Sequence, residues 1–404
     1  MKTTTRLLAL PVLGLLGATL AFTEATALSS TVGPSGPPIY NYATIQAAIN
    51  AASAGDTINV AAGTYPELLT ISKALTISGA DGAVLDGTTL GLEIVGVKIK
   101  SGNVTFDNID LQHFSGNGII VGYEAATPGS LKNVHITNCK ISGIQPGYSH
   151  GFGIYVGYES EAFKYVPPRL TAHLDYSGLL IENNEITDSR SSALVLQSIT
   201  GTPGTLMVRN NFIHDGDNDG VWIDCARNII IEDNVVQNNM DGFYISSYGD
   251  AFLYKWVYDW SNQQLNGPYG PMNISITGNT IVDNNTSGGV YLAAGYPATI
   301  AINGNAITGN VPGVANYLSE QVNATCNWWG AANGPGPVGP GSGDTVSLNV
   351  DYSPWLLAPG GLCSGAVVTS KNQCMKGGWQ TLFRADGTPF KNQGDCIQYV
   401  NTGK

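Results

Sequence analysis

The densest polar run in the chain is His214-Asp215-Gly216-Asp217-Asn218-Asp219-Gly220, which leads into Val221-Trp222-Ile223-Asp224. A second acidic corner, Asn239-Met240-Asp241-Gly242, precedes Phe243-Tyr244-Ile245-Ser246. Asp219 and Asp241 lie 22 residues apart at matching places in these phrases. If the chain coils with that period, the two carboxylates stack about 5 Å apart in adjacent turns. Carboxylates held that close either split their pKa values or share a cation. A split pair can protonate a glycosidic oxygen with one acid and activate water with the other. A shared cation would draw on Asp215, Asp217, Asp219 and Asp241, whose hard oxygens suit calcium. It would neutralise a uronate carboxylate and acidify the C5 proton. Lys255 is then the first candidate base, with Arg190 and Arg227 behind it. The competing reading is turn chemistry, because Asp-Gly before a strand is also an ordinary corner.

Two long insertions flank this run. The first, Gln145 to Ser177, carries His150, Tyr155 and Tyr158, and the second, Ser247 to Pro271, carries Tyr248, Tyr254, Trp256 and Trp260 beside Lys255. Aromatic faces interleaved with a few cations suit the pyranose rings of a polysaccharide, and His150 is a lower-ranked catalytic candidate bordering the same groove. Alternatively, the insertions pack on each other to cover a sheet edge.

A repeated phrase must position these groups. HITNCKI, LIENNEI, MVRNNFI, IIEDNVV, SITGNTI and AINGNAI each alternate apolar and polar residues and turn a corner at Asn, Asp or Gly. Cys139, Asn184, Asn211, Asn234, Asn279 and Asn305 occupy one place in the phrase, at separations of 45, 27, 23, 45 and 26 residues. A unit of 23 to 27 residues with period-2 alternation is too small for a pair of helices and predicts one coil of an all-β solenoid, a parallel β-helix. Each repeated Asn then stacks on its equivalents and hydrogen-bonds along a ladder. The separations of 45 are one coil plus an insertion. Ahead of the first coil, Thr44 to Ala52 places Ile45, Ala48, Ile49 and Ala52 on one helical face, as a cap over the open end requires.

Lys2 and Arg6, an apolar run from Leu7 to Phe22, and Ala25-Thr26-Ala27 have the order of a secretory signal, with cleavage expected after Ala27. No other stretch is apolar enough to span a membrane once that segment is removed. Net charge is -12, only 12% of residues are charged and 51 are Gly, which fits a rigid secreted β protein with many tight turns. No basic patch is present to neutralise phosphates, so nucleic acid is not an expected partner. A monomer without an organic cofactor is expected. Of six cysteines, Cys326 with Cys363 and Cys374 with Cys396 are expected to pair, leaving Cys139 and Cys225 as separate buried thiols.

ATIQAAINAASAGDTINVAAGTYPELLTISKALTISG resembles the opening of right-handed parallel β-helix proteins of the pectate lyase-like superfamily. Cys326-Asn327-Trp328-Trp329-Gly330, followed by Ser353-Pro354-Trp355, resembles the C-terminal end of secreted bacterial members, read as a lower cap. The resemblance implies a right-handed β-helix and an acidic polysaccharide cleaved by β-elimination, with an aspartate-bound calcium and a lysine base. A hydrolase with paired carboxylates and a non-catalytic glycan-binding or cell-surface protein are the alternatives. The expected organisation is a signal peptide (1–27), a leader (28–43), the β-helix (44–330), a Pro/Gly-rich cap and linker (331–362) and a small disulfide-closed segment (363–404).

Overall fold

The computed structural model describes residues 28–92, 94–122, 131–145, 151–157, 174–246, 258–259, 264–265, 272–293, 299–337, 341–361, 363, 368, 370–380, 382, 384 and 390–403. The expected signal segment, 1–27, lies outside them. Three large sheets make up the solenoid: sheet A with twelve strands, sheet B with nine and sheet C with eleven. The chain passes from A to B to C and back, so each turn lays one strand on each sheet. Strands one turn apart pair in parallel, as Leu206–Arg209 does with Arg227–Glu232 in sheet A and Val221–Asp224 with Asp241–Ser246 in sheet C.

The period-2 alternation sends every second side chain into the coil. Ile181, Val208, Ile231, Ile276 and Ile302 succeed one another in register across sheet A and are buried. Each such side chain contributes roughly 1.5–3 kcal/mol relative to exposure, which favours closing the coil over leaving its strands apart.

The corner between sheets A and B explains the repeated Asn and Asp. Asn183, Asn210 and Asp233 stand in left-handed backbone at φ 56°, 53° and 55°, and Gly278 and Gly304 take the same place at 69°. Only Gly, Asn and Asp visit that conformation routinely. The next residue turns inward. Asn184, Asn211, Asn234, Asn279 and Asn305 are buried, and each Oδ1 accepts the backbone N–H of its counterpart one turn earlier at 2.9–3.0 Å. Cys139 begins this ladder as expected, and Asn327 extends it by one rung. A second ladder, Asn239-Asn284-Asn310-Asp344, runs up the corner between sheets B and C.

Helix Ile45–Ala51 buries Ile45, Ala48 and Ile49. The Thr44 hydroxyl accepts the Ala47 N–H, the Glu67 carboxylate accepts the N–H groups of Ile45 and Gln46, and the Lys73 ammonium donates to the carbonyls of Ile49, Asn50 and Ala52. Acid at the amino end and base at the carboxyl end both complement the helix dipole.

The solenoid extends beyond the expected limits at both ends. Ser29–Val32, assigned to a leader, pairs with Thr57–Val60 as the first strand of sheet A. Pro335–Pro337 and Gly343–Val346 join sheet C, and Val350–Asp351 closes sheet A. Pro335 and Pro337 lie on the terminal strand of sheet C, where a missing N–H costs least. Trp329 is fully buried in the main core and Trp355 packs partly against it. The disulfides are Cys326–Cys363 and Cys374–Cys396, and Cys139 and Cys225 are buried and belong to neither. Burial pushes the Cys139 thiol up to about 12. Cys374 and Cys396 belong to a small separate cluster with Val368, Leu382 and Phe390, beside helix Gln393–Thr402.

Candidate functional site

The acidic run occupies the corner between sheets B and C, and that corner separates its members. Asp215 holds a left-handed position at φ 53°, equivalent to Asp188, Asn238, Asp283 and Gly309 in other turns. Its carboxylate meets His214 Nδ1 at 2.6 Å and Asn238 Nδ2 at 3.1 Å, and the His214 contact holds its pKa below the ordinary range. Asp217 is exposed, and its backbone N–H donates to Ser189. Asp219 and Asp241 are buried at the entry to sheet C. Among the described residues, no group of three or more His, Cys, Asp or Glu side chains is arranged to hold a metal ion. Of the four aspartates expected as a calcium set, Asp215 and Asp217 are exposed whereas Asp219 and Asp241 are buried.

Asp219 and Asp241 are in register. Val221 pairs with Phe243, and the Gly220 N–H donates to the Asp241 carbonyl at 2.8 Å. In the same column one turn earlier, the Ser192 hydroxyl donates to Asp219 Oδ2 at 2.9 Å. Asp241 Oδ1 accepts the N–H groups of Ser287 and Gly288 at 2.7 and 3.2 Å, so this acid also braces the entry of the next turn. Burial pushes Asp219 up to about 7 against the Ser192 hydrogen bond, and the Asp241 charge adds to the rise. Burial raises Asp241 as well, opposed by its two backbone donors.

A stability prediction follows from Asp219. As pH rises from 3.8 to about 7, the unfolded chain ionises this group while the folded protein keeps its proton. The folded state then binds more protons, so this group's contribution falls with rising pH and levels off above about 7. Thermal midpoints measured across that window should decline less steeply for Asp219→Asn than for the parent protein. Parallel curves would contradict the raised pKa.

The outward face of sheet C carries a feature that the insertions overshadowed. Tyr155, Val195, Trp222, Tyr244 and Tyr291 follow one another in register. Phe152 bridges the interruption at Val195, with ring centroids 5.6 Å from Tyr155 and 6.3 Å from Trp222. Trp222 lies 6.4 Å from Tyr244, which stacks on Tyr291 at 5.3 Å and an interplanar angle of 6°. Tyr317 continues the series at 5.1 Å and is 59% exposed. Six rings thus form a ribbon parallel to the solenoid axis, half-buried at Trp222, Tyr244 and Tyr291 and buried at Tyr155. Asp219 and Asp241 each lie three residues before a ribbon aromatic, Trp222 and Tyr244 respectively, at the start of sheet C. The signal was present in the chain: Gly153-Ile-Tyr-Val, Gly220-Val-Trp-Ile, Gly242-Phe-Tyr-Ile and Gly289-Val-Tyr-Leu are one motif.

Of the aromatic residues expected to bind substrate, Tyr155 belongs to this ribbon. Tyr158, Tyr248, Tyr254, Trp256 and Trp260 have side chains outside the described residues, as do Lys255 and His150. Gly157, directly after strand Ile154–Val156, and Ser246, the end of strand Asp241–Ser246, are the last described residues before 158–173 and 247–257, so both departures follow strands of sheet C. Arg190 and Arg227 are not brought together. Arg190 is exposed before strand Leu194–Gln197, whereas Arg227 follows Val221–Asp224 at the opposite end of the sheet. Nε and Nη2 of Arg227 are buried with no hydrogen-bond partner among the described residues.

No helix among the described residues is long and apolar enough to cross a membrane. Comparison with curated proteins found no match. Among solved structures, the chain is similar to a pectate lyase, Pel9A, at 12% identity and a TM-score of 0.47, covering 91% of this chain and 88% of that one. It is also similar to XylC in complex with xylose, at 11% identity and a TM-score of 0.46, covering 74% and 68%. A PL6 family alginate lyase, AlyGC, matches at 12% identity and a TM-score of 0.43, covering 80% of this chain and 40% of that one. The family model of the right-handed beta helix region matches residues 90–328, most of the solenoid built from these three parallel sheets, and the chain belongs to that family.

Proposed function

We propose that this is an exported, polysaccharide-active β-helix protein that seats an extended glycan along the outward face of sheet C and cleaves it with Asp219 as proton donor. The aromatic ribbon carries this reading. Its six rings follow one another at 5.1–6.4 Å along the solenoid axis, an extended row that suits a linear polymer of sugar rings better than a compact ligand. Aromatic faces supply large contact area to the apolar faces of sugars. Asp219 lies three residues before Trp222 in the chain, and burial pushes its pKa up to about 7, so it retains a proton near neutrality for delivery to a leaving oxygen. Asp241 is the second carboxylate of the pair. Two disulfides fit an oxidising compartment outside the cytoplasm.

The test is incubation of the purified full chain with a panel of neutral and acidic polysaccharides. New reducing ends without ultraviolet absorbance from an unsaturated sugar support hydrolysis by the acid pair. Absorbance with new reducing ends instead means elimination, with Lys255 as first candidate base. Binding without either leaves a glycan-binding protein, and no binding to any member overturns the proposal.

A further inference from the structure

Asp224 is fully buried, yet it stands on the outward side of sheet C, two residues after Trp222. It pairs in register with Gln197 one turn before and Ser246 one turn after. Gln197 Nε2 donates to its Oδ2 at 3.0 Å, and the Ser246 hydroxyl donates to its Oδ1 at 2.8 Å. Each of these partners holds one aromatic residue of the ribbon. The Tyr155 hydroxyl donates to Gln197 Oε1, and the Trp222 indole N–H donates to Ser246 Oγ at 3.0 Å.

The directions of these four bonds are linked. An indole N–H only donates, so Ser246 Oγ must accept from Trp222 and its own proton is left to donate onward. Asp224 accepts that proton on Oδ1 and the Gln197 amide N–H on Oδ2. Fixing the Gln197 amide nitrogen toward Asp224 turns its oxygen to the Tyr155 hydroxyl. One buried carboxylate is therefore the common acceptor of two arms, one ending on Trp222 and the other on Tyr155.

We infer that Asp224 is a positioning residue that sets the orientation of Trp222 and Tyr155 in the sheet C ribbon through Ser246 and Gln197. The inference takes its functional meaning from the glycan seat proposed above, while its geometry is independent of that reading. Asparagine at this place has nearly the same shape but exchanges an acceptor oxygen for a donor. Facing Gln197, the new amide forces that side chain to flip and reverses the Tyr155 bond. Facing Ser246, it turns the hydroxyl proton away and loosens the Trp222 arm. Groups held by such a supporting network lose precision when one member is exchanged.

The experiment uses the full chain and two readouts. The first is the Trp222 indole N–H resonance, assigned by its loss in Trp222→Phe and followed without any glycan. Asp224→Asn should shift or broaden it, and so should Ser246→Ala, which cuts the same arm while leaving the carboxylate in place should the first variant fail to fold. The second is a double-mutant cycle on affinity for whichever polysaccharide the panel identifies. Asp224→Asn should weaken binding roughly tenfold in the parent protein and only about twofold in the Trp222→Phe background. An indole resonance unmoved by both substitutions, or an equal loss of affinity in both backgrounds, would overturn the inference. If no polysaccharide binds the parent protein, the glycan seat fails, and the indole signal alone still decides the role of Asp224.

Discussion

Asp219→Asn is expected to lower the rate of glycan cleavage about 10³-fold while changing affinity for the uncleaved glycan no more than about twofold. The amide matches the carboxyl in size, and its oxygen can still accept the Ser192 hydroxyl that now lies 2.9 Å from Oδ2. What it lacks is a proton that it can surrender. The parent acid has one near neutrality because burial, helped by the Asp241 charge, holds its pKa at about 7. The same substitution should leave the protein equally or more stable at neutral pH, since it removes a carboxyl group whose ionisation the fold opposes. Lower activity with undiminished stability is the signature of a functional acid rather than a structural one. Single-turnover rates and thermal midpoints on the same preparation give both numbers, and an unaltered rate would remove Asp219 from the chemistry.

Asn234→Ala is the substitution expected to damage the fold most. Asn234 Oδ1 accepts both the backbone N–H and the side-chain Nδ2 of Asn211 at 2.9 and 2.8 Å. Its own Nδ2 donates to Val208 O, Glu232 O and Asn279 Oδ1 at 2.9–3.0 Å. Alanine removes all five bonds and strands buried donors of Asn211. Each orphaned buried group costs about 1–3 kcal/mol, so the loss should reach roughly 4 kcal/mol or more. Because each turn is stabilised mainly by its neighbours, the damage should spread to the rungs of Asn211 and Asn279. Asn285→Ala offers the control: its Nδ2 makes one exposed bond to Asp283 O, and its effect should stay within about 0.5 kcal/mol. Denaturant unfolding of the two variants against the parent protein checks the contrast, and similar midpoints for both would show that the ladder is dispensable.

The asparagine ladder was legible because one physical demand recurs at one place in every turn. A left-handed corner selects Asn, Asp or Gly, and the residue after it must be small, polar and able to both donate and accept. The terminal rungs lacked that imprint. Ser29–Val32 precedes a Pro/Gly-rich stretch, and Pro335–Pro337 survives as a strand only because it lies on the edge of sheet C. The acidic corner was legible in part: register correctly places Asp219 beneath Asp241, but the same left-handed demand that builds the ladder also accounts for Asp215. The density of Asp there reflects two causes at once, backbone conformation at Asp215 and a buried pair further on. The aromatic ribbon is hard to see in the sequence for the opposite reason. A sparse row of aromatic residues is inconspicuous beside insertions crowded with Tyr and Trp, and its meaning emerges only when turns are aligned on Gly153, Gly220, Gly242 and Gly289.

Calorimetric titration of the polysaccharide panel into the parent protein, Trp222→Ala and Trp379→Ala tests the glycan seat most directly. Trp222 stands in the middle of the ribbon, whereas Trp379 packs against the separate C-terminal cluster. The expected result is saturable binding of one polysaccharide class, weakened about tenfold or more by Trp222→Ala and unaffected by Trp379→Ala. Equal affinities for the parent protein and Trp222→Ala, or a loss that follows Trp379 instead, would contradict the assignment of sheet C as the glycan-binding face.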